Sequence, residues 1–322
     1  MAASDLFSQR SRTFLVIGRA GMDFMPTEQG VRAEDCELFA AGLGGSSANI
    51  SAGLVKQGCA ATIVTPVSDD LIGRFCIKQL ERYGVDTTYV SKVGGEYRNS
   101  LAVYDLQETV IYRNGAADFQ LTEEDVSQPD YGAYAGLITT GTVLAAEPSR
   151  SSAFAAFDRA KEVDLPLIFD VDYRPYSWKS AEEAAEVFSR AAGYCDVIVG
   201  NDDEFGFMAG SREKGLDKAK SLIADGATIV VYKMGDRGAI TLTKDDEIRT
   251  GIYPVEALKP NGAGDAFMAG LMASLVKGLD LPAAVDRGSA AAAITVAGVG
   301  CAQAMPTTSE LDKFLAERTN QR

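Results

Sequence analysis

The segment KPNGAGDAFMAGLMASL, residues 259–275, joins a loop of small residues to a strongly helical run. Gly262, Ala263 and Gly264 directly precede the helical part, and small residues allow successive backbone N–H groups to turn toward one point. The N-terminus of the helix adds positive potential at the same place. This pattern predicts an anion hole suited to a phosphoryl group.

Asp265 falls in the first turn of this predicted helix, beside the anion hole. A carboxylate there can accept the proton of an attacking hydroxyl while backbone N–H groups hold a phosphoryl group. Acidic residues are also common in the first helical turn, so on spacing alone a capping role is favoured. Two other nucleotide motifs are excluded. Phe267 stands where G-x-G-x-x-G requires its third glycine, and no G-x-x-x-x-G-K-[ST] occurs in the sequence.

Short runs of β-branched residues alternate with helical segments along most of the chain. Six runs are typical of buried strands: residues 13–19, 61–67, 136–141, 167–172, 196–201 and 228–235. This alternation predicts an α/β fold with a mostly parallel central sheet flanked by helices. Segments at about 22–41 and 97–113 break the rhythm and predict a small β-lid. With no internal repeat and no low-complexity linker, residues 1–322 are predicted to form a single domain.

The composition excludes several classes of function. The 322 residues carry a formal net charge of −14, which argues against nucleic-acid binding. There is no histidine, which excludes Ser-His-Asp and Cys-His catalysis and every His-based zinc site. No apolar stretch has the length of a membrane span, and the N-terminus lacks the apolar core of a secretory signal. The five cysteines are scattered, so we expect reduced thiols in a cytoplasmic protein.

A second glycine-rich segment, GLGGSSANISAGLVKQG at residues 42–58, also enters a helix. Gly44 and Gly45 would allow a ligand to approach the backbone closely, and Asn49 offers a donor and an acceptor to a polyol. Together with NGAGDAFMAG, and in this chain order, the segment resembles the two diagnostic patterns of ribokinase-like (PfkB) carbohydrate kinases. The resemblance extends over nearly the whole chain. It implies the ribokinase-like three-layer fold, an ATP-dependent sugar kinase, and Asp265 as the catalytic base.

The same resemblance implies roles for further residues. Asp23, just after the first strand, would hold sugar hydroxyls. Asn201 and Glu204 look like the family's N-x-x-E element, which organises Mg²⁺ and its waters next to the nucleotide. Gly235 and Gly238 lie where the family turns tightly against the nucleotide. Without the family context, a strand-end cap and a solvated helix residue would be the favoured interpretation of Asn201 and Glu204.

One position departs from the family pattern. The second pattern usually begins with Asp-Thr, and in many relatives that aspartate helps to bind an activating monovalent cation. Here the two positions are Lys259 and Pro260. A lysine ammonium can supply a similar fixed positive charge, so we expect weak or absent activation by potassium. A surface lysine in a loop is the alternative.

Four strings, GRAGMD, TTGTVLAAEPSR, DVDYRPYSW and QAMPTTSEL, resemble a sugar-acid kinase subgroup of this family. That resemblance implies phosphorylation of the 6-hydroxyl of 5-dehydro-2-deoxy-D-gluconate. A guanidinium can hold a carboxylate through two hydrogen bonds, and Arg113 and Arg174 at predicted strand ends are favoured for this role. For Arg19, pairing with a neighbouring acid is an equal alternative. Packing is expected for the aromatic residues nearby: Tyr173, Tyr176 and Trp178.

Three alternatives remain open at this point. A 2-keto-3-deoxygluconate kinase on the same fold is the nearest, because its motifs resemble the Tyr-Arg and Asp-x-x-x-Arg elements of this chain. Another sugar kinase such as a fructokinase would have no use for carboxylate-binding arginines. A non-catalytic sugar sensor is disfavoured by the intact Asp265, Gly262 and Gly264. The expected partners are ATP and a sugar acid, and the family resemblance implies a homodimer formed through the β-lid.

Overall fold

The computed structural model describes residues 6–8, 10–28, 30–258 and 261–319. The strands, in chain order, are β1 (Thr13–Ile17), β2 (Gly21–Pro26), β3 (Phe39–Gly44), β4 (Ala60–Ser68), β5 (Asp86–Val93), β6 (Leu101–Tyr104), β7 (Thr109–Tyr112), β8 (Gly136–Thr140), β9 (Leu167–Asp170), β10 (Val197–Asn201), β11 (Ile229–Lys233), β12 (Ala239–Leu242) and β13 (Glu247–Thr250). The α-helices are α1 (Ser46–Lys56), α2 (Leu71–Tyr83), α3 (Glu123–Ser127), α4 (Ser149–Glu162), α5 (Ala181–Ala192), α6 (Asp202–Met208), α7 (Gly215–Ala224), α8 (Ala263–Val276), α9 (Leu281–Val296) and α10 (Thr308–Thr319).

The larger of two sheets has nine strands in the order β13-β12-β11-β10-β9-β8-β1-β4-β5. Neighbouring strands from β11 to β5 pair in parallel, whereas β12 and β13 pair antiparallel at one edge. Each of the six predicted strands is present, which confirms the mostly parallel central sheet.

The sheet is covered on both faces because apolar side chains alternate between the two faces along its strands. In β1, Leu15 and Ile17 join one buried cluster, and Phe14 and Val16 join another. The first cluster includes residues of α4 and α5, and the second includes residues of α8 and α9. This period-two alternation between two helical layers produces the three-layer architecture.

The two segments that interrupt the strand–helix rhythm form a second sheet with the order β3-β2-β6-β7. Strand β2 pairs antiparallel with β3 and parallel with β6, and β6 pairs antiparallel with β7. The extent of the single domain, residues 1–322, stays a prediction. Within the described residues, we find no helix with the length and hydrophobicity of a membrane span.

Polar residues gather at the carboxyl ends of the central parallel strands. Thr140 ends β8 and is in register with Asp170, the last residue of β9. Asn201 ends β10 and is in register with Lys233, the last residue of β11. Ligands of open α/β sheets bind at this edge, so the topology places these four side chains where chemistry is expected.

Candidate active site

A close crossing of two helices positions Asp265. Helices α1 and α8 approach so closely that a Cβ at Gly53 would lie 2.7 Å from the Cβ of Ala269. One helical turn earlier on these helices lie Asn49 and Asp265. There the Nδ2 of Asn49 donates a hydrogen bond of 2.9 Å to the Oδ2 of Asp265. The small residues at the crossing therefore bring an amide of the first glycine-rich segment to the carboxylate of the second.

The surroundings of Asp265 raise the pKa of its carboxyl group. Burial, with the negative charge of Asp172 as the next cause, raises the pKa of Asp265 from 3.8 to about 7. The hydrogen bond from Asn49 and the positive charges of Arg174 and Lys233 act in the opposite direction. A carboxyl group whose pKa lies near neutrality can take up and release a proton under physiological conditions.

The predicted anion hole lies at the N-terminus of α8. Gly262, the residue before the helix, has a φ of 79°, and a Cβ there would lie 3.2 Å from the Cα of Cys301. Glycine is required at this position because the left-handed conformation and the contact both disfavour a side chain. The first N–H groups of α8, including those of Ala263 and Gly264, have no acceptor within the helix. The local geometry is compatible with an anion hole, and its role in catalysis stays a prediction.

Asp172 is a site residue that the sequence interpretation did not include. Its carboxylate accepts a hydrogen bond of 2.7 Å from the hydroxyl of Ser46 and pairs with Arg174 at 2.6 Å. Burial alone would raise its pKa, but Arg174, the hydrogen bond from Ser46, Arg19 and Arg113 together hold the pKa below its usual value. Asp172 is therefore negatively charged, and this charge helps to raise the pKa of Asp265. The signal in the sequence is the Asp-x-Asp at the end of a predicted central strand.

Asp170 was also missed as a site residue. It is 4% exposed, and burial raises its pKa well above the usual value, with the charges of Asp172 and Glu204 acting in the same direction. Lys233 is the main opposing charge. A buried carboxyl group at the carboxyl edge of the sheet, next to other acids, is typical of a functional site.

Asn201 and Glu204 form a reciprocal cap at the start of α6. The Oδ1 of Asn201 accepts from the N–H of Glu204 at 2.8 Å, and the Oε2 of Glu204 accepts from the N–H of Asn201 at 2.7 Å. The other carboxylate oxygen accepts from the N–H of Tyr173 at 3.2 Å. Glu204 is 7% exposed, so the alternative of a solvated helix residue is wrong. Burial also raises its pKa.

The glycines before α1 are needed for packing within the protein. A Cβ at Gly44 would overlap the carboxylate of Asp23, and a Cβ at Gly45 would overlap the carbonyl oxygen of Arg19. Gly45 also has a φ of 95°. A side chain at Gly44 would therefore collide with Asp23, and a side chain at Gly45 would collide with the backbone of Arg19. Substrate binding by Gly44, Gly45 and Asp23 stays a prediction.

Arg113 is buried in a preorganised environment. Its Nε donates to Asp118 at 3.0 Å, its Nη2 donates to Asp118 and to the carbonyl of Thr142, and its guanidinium lies 4.1 Å from the ring centroid of Phe119. Its Nη1 is buried and has no partner in the described part of the chain. One donor of a fixed guanidinium is therefore available to a ligand.

Arg19 is 8% exposed, and its Nη1 donates to the hydroxyl of Ser100 at 3.1 Å. Its Nε is buried without a partner among the described residues, which show no ion pair between Arg19 and an acid. The alternative that Arg19 pairs with a neighbouring acid is therefore wrong for this part of the chain. Arg174 does pair with an acid, Asp172, but its side chain remains 43% exposed.

The aromatic residues after β9 divide into two groups. Tyr173 and Trp178 pack against the core, as predicted. Tyr176 is 58% exposed, so the expectation that it packs is wrong. The charges of Arg174 and Arg19 act on its hydroxyl, which places Tyr176 beside the arginines.

The predicted nucleotide turn lies between β11 and β12. Gly235 and Gly238 have φ values of 60° and 82°, and a Cβ at Gly238 would overlap the carbonyl oxygen of Thr250. Asp202 ties the turn to α6, since it accepts hydrogen bonds of 2.7 Å from both Arg237 and Arg212. Nucleotide binding by the turn stays a prediction. The last predicted residue, Lys259, lies outside the described residues.

Comparison with known proteins points to one family. Residues 11–308 match the pfkB family of carbohydrate kinases. The 5-dehydro-2-deoxygluconokinase of Geobacillus kaustophilus (strain HTA426) is 34% identical over 321 residues, which cover 97% of this chain and 96% of that protein. The 5-dehydro-2-deoxygluconokinase of Clostridium tetani (strain Massachusetts / E88) is 35% identical over 312 residues, or 94% and 92% of the two chains.

Solved structures agree with this result. The fructokinase from Vibrio cholerae O395, in its fructose, ADP and calcium ion bound form, superposes with a TM-score of 0.84 at 26% identity. The superposition covers 94% of this chain and 98% of that one. The aminoimidazole riboside kinase from Salmonella enterica, complexed with aminoimidazole riboside and an ATP analog, has a TM-score of 0.83 at 24% identity. That match covers 94% and 99% of the two chains.

Proposed function

Because the chain belongs to the pfkB family of carbohydrate kinases, and thus is a sugar kinase with the ribokinase-like fold, we propose that its substrate is a sugar acid. Specifically, we propose that it transfers a phosphoryl group from ATP to the 6-hydroxyl of 5-dehydro-2-deoxy-D-gluconate. The names of relatives at about 34% identity over nearly their full length support this substrate.

The proposal that the substrate is an acid rests on two buried guanidinium groups. Arg19 and Arg113 each keep a buried nitrogen without a hydrogen-bond partner in the described structure. The charges of both act on Asp172, so they surround one site. A buried donor left unpaired costs about 1–3 kcal/mol, and more for a charged group. A substrate carboxylate would satisfy both donors, whereas a neutral sugar could offer only hydroxyl groups.

The chemistry assigned to Asp265 is acceptance of one proton. The oxygen of the 6-hydroxyl forms a bond to the terminal phosphorus of ATP, the bond from that phosphorus to the ADP oxygen breaks, and the hydroxyl proton moves to Asp265. Asn49 holds the carboxylate in place through its hydrogen bond. The N–H groups of Gly262, Ala263 and Gly264 would stabilise negative charge on the transferring phosphoryl group.

The residues of the site fit a magnesium ion that is carried by the nucleotide. The described residues contain no group of three side chains able to hold a metal by themselves. Kinases bind Mg²⁺ mainly through phosphate oxygens and water, with one or two protein carboxylates. Both oxygens of Glu204 already accept backbone N–H groups, so we propose that Glu204 and Asn201 act through water. When bound, Mg²⁺ would neutralise charge on the phosphate oxygens.

The β2-β3-β6-β7 sheet is proposed to act as a lid and as the surface of a homodimer. It carries two proposed substrate ligands, Asp23 on β2 and Arg113 directly after β7. Apolar side chains of its strands and of the segments next to them are exposed: Leu38, Leu106, Val110 and Tyr112. A dimer would cover them, and light scattering on the purified protein should give twice the mass of 34.2 kDa. A monomer at micromolar concentration would contradict the dimer without affecting the substrate.

We also propose a cytoplasmic location, since all five cysteines are free thiols and four of them are buried. Free cysteines are usual in a reducing compartment.

The decisive experiment is a coupled ADP-release assay with Mg-ATP and four substrates: 5-dehydro-2-deoxygluconate, 2-keto-3-deoxygluconate, fructose and ribose. The highest kcat/KM is expected for the first. A preference for 2-keto-3-deoxygluconate would support the second candidate, because the same arginines can bind either acid. A preference for fructose or ribose would contradict the proposal that the site binds a substrate carboxylate, and it would leave the assignment as a sugar kinase unchanged.

A further inference from the structure

Lys233 is a cation beside the predicted anion hole, and neither glycine-rich pattern includes it. It ends β11 at the carboxyl edge of the sheet, in register with Asn201 on β10. Its ammonium nitrogen lies 3.5 Å from the position that a Cβ at Gly264 would occupy. It also lies 5.7 Å from the ring centroid of Phe267, three residues further along α8. The ammonium group therefore stands at the first turn of α8.

The ammonium group has no fixed partner in the described structure. It makes no hydrogen bond and no ion pair with the described residues, although the side chain is partly buried. Its charge nevertheless acts on three carboxyl groups, those of Asp170, Glu204 and Asp265. If neutralising these acids were its only role, a direct ion pair with one of them would be expected. A lysine held beside a helix N-terminus without such a pair is placed to receive an anion.

We propose that Lys233 binds the phosphoryl group during its transfer and completes the anion hole from the side of β11. This proposal rests on the proposed kinase function, but not on which sugar is the substrate. Backbone N–H groups at the start of α8 would contact the phosphoryl oxygens from one side and the ammonium group from the other. Charge on the phosphoryl oxygens is spread over three atoms, so donors on two sides stabilise it better than donors on one.

The test compares Lys233→Met and Lys233→Arg with the unchanged full-length protein. Calorimetric titration without sugar gives the affinities for ATP, ADP and AMP in the presence of Mg²⁺. Lys233→Met should weaken ATP binding more than ADP binding and leave AMP binding unchanged, because AMP lacks the phosphoryl group that Lys233 contacts. Turnover should fall about 100- to 1,000-fold, the usual effect of removing one donor to a transition-state anion. Lys233→Arg, which keeps the charge, should recover part of both losses.

Lys220→Met is the matched control. Lys220 lies on α7, its side chain is 50% exposed, and it pairs with Glu247, the first residue of the edge strand β13. This variant should bind all three nucleotides and turn over like the unchanged protein.

Two results would overturn the proposal. Equal weakening of ATP and AMP binding by Lys233→Met would show a structural role, and unchanged ATP affinity and turnover would show no role. If Lys233→Met does not fold, the Lys233→Arg variant decides, since a loss shared equally by ATP and AMP would again contradict phosphoryl binding. The binding measurements need no sugar, so a failure of the sugar-acid proposal would appear only in the substrate panel.

Discussion

The side-chain amide of Asn49 donates a 2.9 Å hydrogen bond to the carboxylate of Asp265, across 216 positions of sequence. This bond joins the two glycine-rich segments at one carboxyl group. An amide N–H favours the ionised carboxylate, so the bond lowers the pKa of Asp265. It opposes burial, and the resulting pKa is about 7.

The first prediction concerns the pH dependence of this pair. A base with a pKa of about 7 must lose its proton to act, so kcat/KM should rise with pH and level off above pH 7. Asn49→Leu removes the donor that favours the ionised form, so the acid limb should move to higher pH. A pH profile of kcat/KM at saturating Mg²⁺ measures both. Gln128→Leu, a change at an exposed position, is the control and should leave the profile unchanged. If the acid limb of Asn49→Leu does not move, Asn49 does not affect the pKa of Asp265.

The second prediction separates the activity of Asp265 from its effect on stability. Asp265→Asn should reduce turnover by about 10²- to 10⁴-fold, the contribution of a general base, while ATP still binds. The folded-state pKa of about 7 exceeds the usual 3.8, so the ionised carboxylate destabilises the fold increasingly between these pH values. The melting temperature of the variant should therefore exceed that of the unchanged protein at pH 8, with a smaller difference at pH 4.

Asp245→Asn, an exposed change in the β12–β13 turn, is the control for both measurements. Retained turnover in Asp265→Asn would remove Asp265 from the mechanism. A lower melting temperature at pH 8 would contradict the raised pKa.

The third prediction concerns the space at the predicted anion hole. A Cβ at Gly264 would lie 3.5 Å from the nitrogen of Lys233, an ordinary contact, and alanine is favoured over glycine in a helix by about 1 kcal/mol. Gly264→Ala should therefore keep or raise the melting temperature. Turnover should nevertheless fall, by roughly 100-fold, because the methyl group fills space needed by the phosphoryl group.

Gly262→Ala provides the comparison, since a φ of 79° and a contact of 3.2 Å with Cys301 should lower both stability and turnover. If Gly264→Ala is fully active, the phosphoryl group does not lie at this turn.

The fourth prediction addresses the acidic substrate. Arg19→Leu should raise KM for the preferred sugar acid by about 10- to 100-fold, which corresponds to one charge-assisted hydrogen bond. The KM for fructose, if it is turned over, should change little. Arg249→Leu, on the exposed edge strand β13, is the matched control. Equal effects on the acid and on the neutral sugar would argue against carboxylate binding by Arg19.

The fifth prediction concerns monovalent cations. The family resemblance implies an aspartate at the position of Lys259, so we expect potassium to change turnover little relative to a large organic cation. Lys259→Asp should introduce a dependence on potassium. Steady-state rates in the two salts at equal ionic strength measure the effect. A many-fold activation of the unchanged protein by potassium would contradict the proposal that the ammonium group of Lys259 takes the place of a bound cation.

Local patterns in the sequence were sufficient for much of the fold. The six predicted strands supply six of the nine strands of the larger sheet, because an apolar β-branched run bounded by turn residues carries its own preference for a buried strand. The strands β5, β12 and β13 were not predicted. The two irregular segments form the second sheet for a similar reason. The helix after Gly262 begins at Ala263, so the expectation that all three small residues precede it is wrong for Ala263 and Gly264, which lie in its first turn.

The sequence by itself therefore determined the layers and the two glycine-rich segments, and its family resemblance implied Asp265 as the candidate base. Only the tertiary structure decided that Glu204 is buried, that Arg19 has no acidic partner among the described residues, and that Lys233 stands at the first turn of α8. The physical reason is that the charge state and partners of a polar side chain depend on burial and on neighbours from distant segments. Local sequence can specify a strand or a helix, but only packing determines which charged groups share one site.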